Sequence, residues 1–169
     1  KTTLPFLILL ALAFYFFARK PNSELFSILM PALLFFLILS FFSKFYLGLR
    51  YVLPAFPFLF VFVAGILSSK LGAIRKNRIL FALFSILLAW HAFASFSIYP
   101  HYLEYFNELV GGPANGPKYL TDSNIDWGQD FFYFEEFAKK QNWKHPVLIY
   151  FGWPFPTMFM DFKWDVDCK

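Results

Sequence analysis

The chain has 169 residues, of which 59% are apolar, 24% aromatic and only 15% charged, against roughly a quarter charged in soluble domains. Its 27 phenylalanines exceed what a water-soluble core of this size can hide, which excludes an ordinary soluble domain. The net charge of +4 is modest, and Lys and Arg gather between apolar runs rather than on one face, which excludes a nucleic-acid-binding surface.

Four apolar runs come first, at residues 4–18, 25–42, 47–67 and 79–99, and together they predict a transmembrane helical domain over residues 1–99. A hydrocarbon core of about 30 Å takes about 20 helical residues to cross, so the second, third and fourth runs are long enough and the first is short. Lys1, not Met, opens the chain, and an apolar run starts almost at once, so the expectation is a piece of a longer protein. That run leads into Arg19-Lys20 and a further apolar run without a small-residue cleavage site, unlike a signal peptide. Pro31, Pro54 and Pro57 lie inside the runs, where they predict kinks that neighbouring helices compensate.

The short connections carry Arg19 and Lys20, then Lys44 and Arg50, then Lys70, Arg75, Lys76 and Arg78. Cytoplasmic loops hold the excess of Lys and Arg, so the first and third connections are expected inside. The second connection, and everything after Tyr99, is then expected to face outward.

After Tyr99 the composition turns polar. Residues 100–117 read as an interfacial helix and a loop. Over Pro100 to Val110, Tyr102, Tyr105, Phe106 and Leu109 share one helical face against His101, Glu104 and Glu108, and "GGPANGP" follows as a turn-rich loop. Residues 118–169 read as a small, incomplete extracytoplasmic α/β module. It is built from a strand at 118–121, an amphipathic helix from Trp127 to Lys140 and a strand from Pro146 to Phe151. Short links between them favour a right-handed βαβ unit. The fold class expected is therefore an α-helical polytopic membrane domain of about four transmembrane helices followed by a βαβ-like module. The lone Cys168 permits no internal disulfide, and no CxxC or Cys/His cluster exists for structural zinc, so no metal site is assigned.

Two stretches invite a chemical reading. "TDSNIDWGQD", residues 121–130, would join the first strand to the helix, at the sheet edge where such folds take ligands. A structural account covers part of it: Asp126 and Gln129 fit a capping box, and Asp130 favours the positive end of the helix. Asp122, Asn124 and the Trp127-Gly128 pair are not needed for capping, which leaves a site open. Three carboxylates repel a bare anion, so sugar hydroxyls, a divalent cation or a basic partner suit the stretch better. In "LGLRYVLPAFP", residues 47–57, Arg50 offers a bidentate fork to a phosphate and Tyr51 an interfacial anchor. Both also fit as plain belt residues. His91, inside the fourth run, reads as an interhelical hydrogen-bonder before a catalyst. The Glu135-Glu136 pair reads as solubility beside Lys139 and Lys140. No P-loop, dinucleotide fingerprint, His-Glu-x-x-His or Gly-x-Ser-x-Gly is present.

The segments "GLRYVLPAFPFLFVFVAG", "PHYLEYFNELVGGPANGPKYLTDSNIDWGQD" and "LIYFG", taken together over positions 47–152, resemble the carboxyl-terminal part of multi-pass glycosyltransferases of the protein-mannosyltransferase-like GT-C superfamily. The resemblance implies many membrane helices, an outward-facing site and a sugar donor carried on polyprenyl or dolichyl phosphate. It implies that Arg50, within Arg50-Tyr51-x-Leu53-Pro54, contacts the donor phosphate. The segment Asp122, Ser123, Asn124, Asp126, Trp127, Gly128, Gln129 and Asp130 matches a family-like motif to which no role is carried over. The superfamily's catalytic base is an acidic residue of the first external loop, which lies outside this chain, so the catalytic residue is unassigned.

The function expected is that of part of an integral membrane glycosyltransferase, moving a sugar from a polyprenyl-phosphate-type carrier to a glycan, lipid or protein acceptor at the outer face of the cell membrane. No cofactor is called for, although a divalent cation is compatible with the carboxylates. The alternative is a non-catalytic multi-pass protein whose external module binds a partner or glycan. A transporter should carry ionisable groups inside its membrane segments, and His91 is the only one well inside a run.

Overall fold

The computed structural model describes residues 1–42, 51–120, 124–125 and 128–143. Four helices make up the amino-terminal part: α1 (Leu4–Arg19), α2 (Ser23–Phe42), α3 (Phe56–Lys76) and α4 (Arg78–Ser97). Apart from α1, all are long and apolar enough to cross a membrane. With no water in a bilayer core, a helix meets its own backbone hydrogen bonds, so uncharged runs of this length form helices whatever their propensity.

Helix α3 is the centre of the bundle. Its Leu59, Phe62, Val63 and Ile66 recur at the i, i+3, i+4, i+7 spacing of a single helical face and are all buried. Against them pack Phe6, Leu9 and Ala13 of α1 and Leu29 and Ala32 of α2. Ring contacts fix the directions of the helices. The Phe6 ring centroid lies 4.4 Å from Phe60 and 6.4 Å from His91, while the Lys70 ammonium sits 5.2 Å over the Phe16 ring. Helices α1 and α3 therefore run parallel, with α4 antiparallel to both. The outer faces stay apolar: Ile79, Phe93 and Phe96 are each more than 70% exposed. A soluble surface does not present such a girdle, and it is compatible with contact to a lipid bilayer.

Several element boundaries differ from the sequence expectation. The third helix begins at Phe56, after a 3-10 turn at Leu53–Ala55, rather than at 47. Pro57 lies in its first turn, where a missing N–H costs nothing. The helix then runs past Leu67 to Lys76, and within it Ser68 and Ser69 donate their hydroxyls back to the carbonyls of Gly65 and Ile66. Asn77 alone breaks the chain between α3 and α4, and its side chain accepts the N–H groups of Ile79 and Leu80. Pro31 lies inside α2.

The carboxyl-terminal part departs further. The expected interfacial helix over Pro100–Val110 is replaced by two short 3-10 turns, Tyr102–Glu104 and Glu108–Val110. Tyr105 and Asn107 between them are extended. Phe106 and Asn107 are buried instead, and Asn107 donates its amide to the Thr2 carbonyl at 2.8 Å. Docking on the start of α1 thus overrides the local helical period.

Residues 113–118 form a further 3-10 segment, Pro113–Lys118, so the strand expected from Lys118 is not formed over its described residues. Among the described residues there is no strand, and the βαβ module has no support there; the second expected strand, 146–151, lies outside them. The amphipathic helix exists as α5 (Phe131–Lys140), four residues shorter at its start than expected. Gly128 explains the delay, since its φ of 100° cannot enter a right-handed helix.

Candidate functional site

The end of the bundle where α1 begins and α4 finishes is covered by polar contacts that tie distant parts of the chain together. Thr3, just before α1, and His91 of α4 share a hydrogen bond of 2.7 Å between Oγ1 and Nδ1. His91 is thus held by an interhelical hydrogen bond. Trp90 donates Nε1–H to Glu108 Oε1 at 2.9 Å, which pins the tail to α4. Lys1 donates its ammonium to the carbonyls of Leu103 and Asn124 and sits 4.4 Å over the Phe106 ring. Burial lowers the Lys1 pKa from its ordinary value, and nearby Glu104 works against that shift.

Beside this anchor lies a cluster of three titratable side chains. His101 Nδ1 meets Asp130 Oδ1 at 2.7 Å and lies 3.9 Å from Glu104 Oε1. The His101 ring is also 4.8 Å from that of Tyr133 on α5. The second Asp130 oxygen accepts from Gln129 Nε2 at 3.0 Å, and the same amide donates to the Ile125 carbonyl at 3.0 Å. Asp130 precedes α5 but makes no side-chain cap to it. Its carboxylate stands at the helix start, as expected, and also faces the imidazole. Gln129 also lies before the first helical residue rather than three residues inside, and so does not occupy the capping-box position expected for it.

Two chemistries are open to this cluster. With Nδ1–H donating to Asp130, the imidazole is oriented and Nε2 becomes the nitrogen able to accept a proton. Alternatively, His101, Glu104 and Asp130 offer one ligand atom each, all within 4.8 Å of one another, a set that a divalent ion can share. The 2.7 Å contact pairs His101 with Asp130 without an ion, and Glu104 stands 3.9 Å from the same nitrogen, outside hydrogen-bond distance.

Of the residues expected at the site, Asn124, Gln129 and Asp130 are brought to the start of α1 and the end of α4. Tyr51, 39% exposed, lies shortly before α3. Phe56 at the start of that helix is 6.2 Å from Phe6 between ring centroids, so Tyr51 approaches the bundle from this same end. Arg50, Asp122, Asp126 and Trp127 lie outside the described residues. Reading the sequence passed over His101, Glu104 and Lys1. The i, i+3 spacing of His101 and Glu104 was visible, but Asp130 is 29 positions away from His101 and no local pattern announces that pairing.

Fold and cluster together define a helical chain of membrane-spanning type with a polar, His-containing assembly at one end of its bundle. Comparison with known protein families, with curated proteins and with solved structures finds no match to this chain.

Proposed function

We propose that the chain is part of an integral membrane glycosyltransferase that moves a sugar from a polyprenyl-phosphate-type carrier to an acceptor at the outer face of the membrane. One arrangement carries the reading. Asp130, Gln129 and Asn124 of the "TDSNIDWGQD" stretch gather with His101 and Lys1 against the ends of α1 and α4. The basic residues Arg19, Lys20, Lys76 and Arg78 gather at the opposite ends of the same helices. By the charge rule for loops, that polar assembly belongs on the extracytoplasmic side, where carrier-linked sugars are used. The resemblance of residues 47–152 to GT-C enzymes supports the same assignment.

Transfer is inverting in this scheme. A carboxylate from a preceding external loop takes the proton of an acceptor hydroxyl, the oxygen attacks the anomeric carbon, and the lipid phosphate leaves with the bonding electron pair. Arg50 stabilises the charge that grows on that phosphate, and Tyr51 anchors its segment at the interface. Asp130 and His101 hold the acceptor-side stretch against the bundle.

The test is Arg50→Ala in the full-length protein, assayed with polyprenyl-phosphate-linked sugars. Removal of one charge-stabilising donor lowers turnover by about 100-fold or more while membrane insertion is unchanged. Unaltered turnover rules the role out. A full-length protein that transfers no sugar from any carrier but still retains a glycan or partner establishes the non-catalytic alternative.

A further inference from the structure

At the end of the bundle opposite the polar cluster, the helices leave an apolar cleft that ends in positive charge. The cleft, of about 590 Å³, opens between α1, α3 and α4. Its walls include Leu12, Leu67, Leu83 and Leu87, Trp90 lies at its far end, and among the described residues the one charged side chain in its lining is Lys70. A second pocket of about 260 Å³ adjoins it, shares Phe16 and Lys70 with it, and adds Lys20, Asn22 and Ser69.

The dimensions and charge suit one class of molecule. Along α4 the cleft runs from Leu80 to Trp90, about 15 Å of helix at 1.5 Å per residue. That is half of a hydrocarbon core of about 30 Å, the depth of a single leaflet. Lys20 is exposed and Lys70 half-buried, and among the described residues neither forms a salt bridge with a carboxylate. Around them, Arg19, Arg75, Lys76 and Arg78 are opposed, among the described residues, by Glu24 alone at this end of the four helices. A lysine amine over an apolar channel one leaflet deep is the complement of a phosphate on an acyl chain. Lys70 lies over the Phe16 ring, but a neutral lipid or an apolar helix would bring no negative charge to either lysine.

We propose that the cleft between α1, α3 and α4 is a binding site for an anionic phospholipid, its acyl chain lying along Leu83, Leu87 and Trp90 and its headgroup phosphate held between Lys20 and Lys70. The lysine end of this site lies at the other end of the bundle from the proposed transfer chemistry, and the site does not depend on that chemistry, although its apolar end reaches Trp90, which also holds Glu108. The membrane leaflet in which the positive loops lie carries the anionic lipids that such a site recruits.

Trp90 supplies the reporter. The full-length protein is reconstituted into neutral vesicles, and phosphatidylglycerol or phosphatidylcholine brominated near the end of the acyl chain is titrated in. The Trp90 signal is taken as the difference from Trp90→Phe. Phosphatidylglycerol is expected to quench it with roughly tenfold higher apparent affinity than phosphatidylcholine. Lys20→Gln/Lys70→Gln is expected to erase the preference, while Arg75→Gln/Lys76→Gln, an equal charge loss outside the cleft, leaves it in place. Ala73→Phe, which fills the cleft but keeps both lysines, is expected to reduce quenching by either lipid. Equal quenching by the two lipids, a preference that survives loss of both lysines, or equal loss from the two double variants overturns the proposal. So does a Trp90 that neither brominated lipid reaches, because the cleft is then filled by protein.

Discussion

Tyr105 presents the sharpest conflict in the described residues at the scale of one side chain. Its hydroxyl is buried without a hydrogen-bond partner, a desolvation cost of about 1–3 kcal/mol. Burial, and then the charge of Glu108, raises its pKa above the ordinary 10.0. The folded state therefore favours the neutral phenol. That contribution is fully present below pH 10.0 and is lost as pH rises through the folded value, because the unfolded chain releases its proton first. Tyr105→Phe should raise thermal stability in detergent by about 1 kcal/mol at pH 7 and remove part of the stability loss above pH 10.0. A lower melting temperature at pH 7 would mean that the hydroxyl has a partner. Neither conflict nor burial was legible at this position, where the helical period placed Tyr105 on a lipid-facing stripe. Asn107 illustrates the same limit: it is buried because its amide reaches Thr2, 105 positions earlier.

At the scale of elements, the tail is held by packing rather than by regular structure. The 3-10 segment Pro113–Lys118 lies on Phe106 through Gly116, where an added Cβ would come within 2.3 Å of Phe106 Cε2 and 2.5 Å of Cδ2. An aromatic ring cannot yield there as a flexible chain end would. Gly116→Ala should therefore cost about 1–3 kcal/mol by overpacking and loosen the tail. Limited proteolysis between residues 100 and 120 is expected to quicken while the four apolar helices stay protected, and an unchanged cleavage rate would show that Phe106 has room to move. Helix α5, by contrast, follows local chemistry. Its Glu135–Lys139 and Glu136–Lys140 pairs have the i, i+4 spacing that steadies an exposed helix. The Lys140 ammonium, through its hydrogen bond and its charge, lowers the pKa of the Glu136 carboxyl.

For the molecule as a whole, the parallel course of α1 and α3 and the return of α4 put the tail and the approach to α3 at one end and the basic turns at the other. If that axis spans the bilayer, the two ends meet different compartments. Single cysteines at Asn77→Cys and Asp126→Cys, each in a Cys168→Ser background, are expected to react with a membrane-impermeant thiol reagent from opposite sides. Position 126 should be labelled in intact cells and position 77 only after permeabilisation. Labelling of both from the same side would rule out the topology that the proposed transfer requires.

The sequence by itself determined the helices and the positions of the basic turns. Uncharged apolar runs of membrane length have no other way to satisfy their backbones in lipid, and Lys and Arg collect where such runs end. What only the tertiary structure decided is how the tail meets the bundle: Lys1 with Asn124, Thr3 with His91, and His101 with Asp130, joined across 123, 88 and 29 positions. Those contacts dissolved an expected interfacial helix and set Asp130, at the start of α5, beside an imidazole. The reason is physical: periodicity records which face of an element is apolar, whereas a polar pairing between remote segments leaves no trace in the spacing of either one.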